Sequence, residues 1–141
     1  MKSKSIVWCV TDVDVDPNTP GNIPARNAQL KEFAEKAKEN GFKIALSNPC
    51  FELWFLLHFE YTTGHMQNFE AVKQRLAVPT FLSNYEKNKD VYPQLKDKLE
   101  TALQNAKQLE SHYEEQGITD FLNVSVNPYT GVWELVQFIK E

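Results

Sequence analysis

Cysteine is scarce in this 141-residue chain, which has only Cys9 and Cys50. Each is followed by an apolar residue, and neither has a second Cys or a His at ligand spacing. That argues against a disulfide framework and against a zinc ribbon. Both read as small buried hydrophobes. A domain of this size buries roughly 68–70% of the surface its unfolded chain exposes, so no covalent staple is needed. Positive charge is also short: 15 Lys and Arg face 19 Asp and Glu, for a formal net charge of −4. Non-specific nucleic-acid affinity arises when basic side chains displace phosphate counterions, so a broad phosphate-binding face is excluded. Nucleic-acid chemistry would need a metal ion or a basic partner to bring phosphates in. The local pairs Lys87 with Lys89 and Lys96 with Lys98 read first as solvated faces. The N-terminal apolar run, Ile6 to Val10, is too short for a signal peptide or a membrane span, so a cytoplasmic chain with no membrane partner is expected. Repeats, low-complexity tracts and Gly/Ser linkers are missing too, and a single domain over 1–141 follows.

What is present reads as α/β. Ile6 to Thr11 (IVWCVT) is apolar on both faces until Thr11, the pattern of a central strand in a covered parallel sheet. The segment from Asp16 to Pro24, with three prolines and a glycine, is a loop beyond that strand's carboxyl end. Leu30, Phe33, Ala34 and Ala37 recur at helical spacing and Gly41 stands where the helix stops. Phe42 to Ser47 reads as a second strand, completing a βαβ unit. Pro49 at a first helical position, with Asn48 as cap, would open a helix from Phe51 to Phe59 that is apolar on nearly every side and must be buried. Phe69, Val72 and Leu76 predict a short helix, and Pro79 to Lys89 an irregular stretch. From Tyr92, a stripe of Leu95, Leu99, Ala102, Leu103, Ala106, Leu109 and Tyr113 predicts one long helix closed by Gly117. A short strand is expected over Phe121 to Val126, and Asn127-Pro128 would start a terminal helix carrying Val132, Leu135, Val136 and Ile139 on one face.

The residues that can do chemistry begin at Asp12. In extended chain, residues i and i+2 point the same way, so Asp12 and Asp14 can converge above the sheet, with Asp16 as an outer helper. Mg2+ or Mn2+ takes such ligands: one or two hard carboxylate oxygens, with water and substrate phosphates completing the octahedron. Ligands of open α/β sheets bind beyond the carboxyl ends of strands, which is where this D-x-D lies. The competing reading is a turn whose aspartates solubilise a strand end.

The run Ser47-Asn48-Pro49-Cys50-Phe51-Glu52-Leu53-Trp54-Phe55-Leu56-Leu57-His58-Phe59 resembles the hallmark of RloB-like proteins, a prokaryotic family associated with restriction loci and phage defence. The D-x-D upstream and Asn127-Pro128-Tyr129-Thr130 downstream resemble that family as well, so the likeness covers nearly the whole chain. It implies a Toprim-type fold, in which a D-x-D after a strand binds magnesium, sometimes in proteins that work beside an ATPase subunit. Asp12 and Asp14 match as metal ligands. Toprim proteins generally also carry a glutamate after an earlier strand, as general acid or base. That strand would lie upstream of Ile6, where only Met1 to Ser5 stand, so the expectation is a fragment or a shortened relative that does not cleave nucleic acid by itself.

Glu52 and His58 are the polar intruders in the hallmark run. Six residues apart at about 100° per residue, they point away from each other around a helix and do not form one site alone. Glu52 is either a structural partner of a nearby group or a site residue near the metal. His58 is either a hydrogen-bonded core or interface histidine or a catalytic one. Asn48 either caps the helix or lies at the edge of the Asp12 site. Two functions follow: magnesium-dependent cleavage of a DNA or RNA phosphodiester, or a noncatalytic module that assembles with an ATPase subunit or a second copy. An aspartate-based phosphotransferase is set aside, because nothing here resembles that class's Lys and Thr motifs.

Overall fold

A computed structural model describes residues 6–13, 22–83, 85–87 and 89–140. Strands β1 (Trp8–Asp12) and β2 (Lys43–Asn48) run parallel, linked through helix α1 (Ile23–Glu39), which is the βαβ unit the sequence predicts. Leu30 and Ala37 bury the inner face of α1. Past its end Gly41 adopts φ +73°, a left-handed conformation that a side chain would strain, and Phe42 N–H reaches back to Ala37 O at 2.8 Å.

The sheet departs from expectation in two ways. Its order is β1-β2-β3, and β3 (Tyr129–Thr130) pairs antiparallel to β2 with Ser47 opposite Thr130, so the sheet is mixed rather than parallel. Its central strand is β2; β1 lies at the edge, with Val7 and Val10 each 51% exposed. Cys9 is accordingly only half-buried, whereas Cys50 is buried. An apolar run of five or six residues does not distinguish a covered strand from one with an open face.

The segment expected as a strand before Val126 is irregular, because its carbonyls are taken by a side chain instead of a neighbouring strand. Asn48 Nδ2 donates to the carbonyls of Asn123, Val124 and Val126 at 3.3, 3.0 and 2.8 Å. Asn127-Pro128, expected to open a helix, is a cis peptide leading into β3, and helix α6 (Val132–Lys140) begins only after Gly131. A Cβ at Gly131 would come within 3.1 Å of Tyr129 Oη, so a larger residue there would need the Tyr129 ring to move by a few tenths of an ångström.

Helix α2 (Glu52–Leu56) is shorter than predicted and continues to Phe59 only as turns. Asn48 does not cap it: that residue ends β2, and the Asn48-Pro49 bond is cis. The apolarity all round the segment has a plain cause, since it lies between two cores. Trp54 and Leu57 join the core over the sheet, while Leu53 and Leu56 join a second one with Val72 and Leu76 of α3 (Phe69–Leu76). The expected long helix is α4 (Tyr92–Leu95), a 3-10 turn over Lys96–Lys98, and α5 (Leu99–Glu114). The break falls where the stripe changes cores: Leu95 packs in the second, and Ala102, Leu103, Ala106, Leu109 and Tyr113 in the first. Gly117 ends the run at φ +81°. No helix among the described residues is long and apolar enough to cross a membrane.

Candidate functional site

Asp12 is the last residue of β1 and stands opposite Ser47 in register. The ladder continues one step further, with Val13 N–H donating to Ser47 O at 2.9 Å. Asp12 opens into a polar depression of about 560 Å3, shared with Thr11, Arg26 and Gln29. Arg26 holds the chain there: its Nε donates to Val13 O at 2.8 Å, one terminal nitrogen to Asp12 O at 3.0 Å and the other to Gln29 Oε1 at 3.1 Å. The two residues before Asp14 are thus pinned from the sheet and from α1. Asp14 and Asp16 lie outside the described residues. Among the described residues no three of His, Cys, Asp and Glu are grouped to hold a metal. Asp12, with the Thr11 hydroxyl and the Gln29 amide, gives this open hollow hard oxygen donors, a chemistry that suits magnesium or manganese rather than a thiolate- or imidazole-seeking ion.

Arg26 escaped the sequence reading. A signal was present, because the amino end of a helix favours acid, and α1 has no acidic residue in its first turn but an Arg just beyond it.

Asn48 is 2% exposed and lies in a buried network rather than at an open edge. Besides the three carbonyls, its Oδ1 accepts from Asn127 Nδ2 at 3.3 Å, and Asn127 in turn clamps Met66 through both N–H and O. Ser47 Oγ and Thr130 Oγ1 are 2.8 Å apart, and Tyr113 Oη donates to Pro128 O at 2.7 Å. The two sequence signatures, at 47–49 and 127–130, therefore bind one another.

Glu52, 5% exposed, faces away from solvent. Its Oε2 accepts from Tyr85 Oη at 2.8 Å and lies 3.4 Å from Lys87 Nζ, while Oε1 is buried without a hydrogen-bond partner. The Cys50 thiol is pushed up to about 12, first by burial, then by the charges of Glu52 and Asp12. Glu52 opens α2 shortly after the carboxyl end of β2, the end where Asp12 stands opposite Ser47.

His58, beyond α2, is 4% exposed. Its Nδ1 is 2.8 Å from Trp54 O, and a carbonyl can only accept, so Nδ1 carries the proton. Burial lowers its pKa, opposed by the carbonyls of Trp54 and Phe55 and assisted by Lys98. The neutral ring lines a cavity of about 460 Å3 with Phe55, Tyr92 and Leu95. Glu52 and His58 share no hydrogen-bond partner.

No curated protein and no solved structure matches the chain. A family model described as RloB-like protein matches residues 1–139. Since that match takes in Asp12, the run from Ser47 to Phe59 and the Asn127–Thr130 segment that binds it, the chain belongs to the RloB-like family.

Proposed function

We propose that this chain is a Toprim-like, metal-dependent domain acting on nucleic-acid phosphodiesters, in the restriction or phage-defence setting that its family resemblance implies. The observation that carries the reading is Asp12 at the carboxyl end of β1, in an open polar depression with the Arg26 guanidinium held on its own carbonyl. Asp12 and Asp14 would hold Mg2+ or Mn2+, which supplies charge neutralisation of the phosphate and activation of water. Arg26 lines the same depression as Asp12, adds a positive charge there that an anionic phosphate could use, and fixes the backbone at Asp12 and Val13. Glu52 is the described acid closest to the role of proton carrier, but it is buried and bound to Tyr85 and Lys87. A group so enclosed does not reach a substrate, and proton transfer by a positioned group is worth typically about 10²–10⁴-fold. This chain by itself accordingly binds metal and nucleic acid but turns over little.

The test uses labelled single-stranded DNA, duplex DNA and tRNA with and without Mg2+ or Mn2+. The expected result is binding that requires the metal and vanishes in the Asp12→Ala, Asp14→Ala variant, with little cleavage by the wild type. Metal-independent binding, or none, contradicts the reading. Rapid cleavage lost in that variant would uphold the reaction class and refute the exclusion of Glu52.

A second reading, a noncatalytic module assembling with an ATPase subunit or a second copy, draws on one observation. Val7 just before β1, Val10 on it, and Phe138 and Ile139 on α6 are exposed, and the Trp8 and Phe138 rings, 6.0 Å apart, join the two groups. Light scattering across concentrations separates a self-assembling chain from a monomer.

A further inference from the structure

The cavity beside His58 is not used by the metal-site reading. At about 460 Å3 it falls in the range of small-ligand pockets, roughly 300–1,000 Å3. Its floor is apolar, made by Phe55, Leu95 and Leu99, and Tyr92 stands at its rim, 60% exposed. The polar groups are few and specific. With Nδ1–H fixed on Trp54 O, the neutral His58 ring keeps Nε2 as an acceptor for an N–H donor. Lys89 and Lys96 line the same cavity, in a protein whose net charge is −4. Its one acid, Asp90, is engaged locally, with Oδ1 accepting from Tyr92 N–H at 3.0 Å.

An apolar floor, an aromatic rim, one buried acceptor and the Lys96 ammonium match an N–H-bearing heterocycle joined to a phosphate. We propose that this cavity binds one nucleotide unit of a single strand, the base against Phe55, Tyr92 and His58 and the phosphate towards Lys96. A paired base in a duplex is stacked and does not enter such a slot, whereas an unstacked base gains from an aromatic platform. The strand part of the proposal rests on the nucleic-acid reading above; the pocket itself does not depend on the metal.

The experiment is an NMR titration of the whole chain in EDTA, observing the His58 ring and Tyr92, with adenosine 5′-monophosphate, adenosine, ribose 5-phosphate, a single-stranded hexanucleotide and its duplex. The same titration is repeated on Asp12→Ala. The nucleotide and the single strand are expected to shift both residues, adenosine more weakly, ribose 5-phosphate and the duplex not at all. Tyr92→Ala, at a side chain 60% exposed, should weaken nucleotide binding about tenfold. Lys96→Gln should remove much of the difference between nucleotide and nucleoside. Unshifted His58 and Tyr92 at millimolar nucleotide, or wild-type affinity in Tyr92→Ala, overturns the pocket. Binding of the free nucleotide without the single strand overturns the strand assignment. Because Asp12→Ala should behave as wild type here, failure of the metal site and failure of this pocket give different results.

Discussion

At the scale of single residues, the polar groups of the hallmark run divide into those that hold the fold and those that face open space. Asn48 belongs to the first kind. One amide nitrogen serves three buried or half-buried carbonyls, so Asn48→Ala should destabilise by about 1–3 kcal/mol, the cost of leaving such groups unpaired. Asn48→Asp should cost more, because a carboxylate oxygen would then face carbonyl oxygens; chemical denaturation of both variants checks the order. Equal stability of the two would show that the carbonyls find other donors. His58 gives a pH signature. Burial lowers its folded-state pKa, so the unfolded chain takes the proton first. Its contribution to stability is complete above about 6.5, the unfolded value, and is lost as pH falls through the lower folded one. Denaturation midpoints below pH 6.5 should fall less steeply in His58→Gln than in the wild type.

At the scale of elements, α2 is the piece on which both cores depend. Trp54 packs against the sheet-side core while its neighbours Leu53 and Leu56 fill the other. Trp54→Ala should cost roughly 3–5 kcal/mol, measured by denaturant unfolding. A folded monomer of unchanged stability would mean that the segment is not core at all. The sequence announced this burial through apolar residues on every side, and it announced the stripe from Leu95 to Tyr113 through spacing alone. It did not announce the break at Lys96–Lys98, because a periodic pattern records that residues are buried and not which core buries them. Nor did it reveal that 123–126 is irregular, since that depends on a side chain 75 or more residues away. The site was legible in the same partial way. Asp12 was singled out from its place at the end of an apolar strand, whereas Arg26, which holds the carbonyls of Asp12 and Val13 and the Gln29 amide, was not.

At the scale of the whole molecule, the chain is an acidic member of the RloB-like family with a mixed sheet and a polar hollow at the end of β1. With a net charge of −4 there is little general attraction for nucleic acid, so the proposed function depends on the cation proposed for Asp12 and Asp14. If the proposal holds, the two carboxylates repel each other until a cation neutralises them, and metal affinity depends on both. The decisive measurement is therefore isothermal calorimetry of Mg2+ and Mn2+ binding, supported by manganese relaxation, on the wild type and on Asp12→Ala, Asp14→Ala. The account predicts one weak site in the wild type and none in the variant; equal affinity in the two proteins would contradict it.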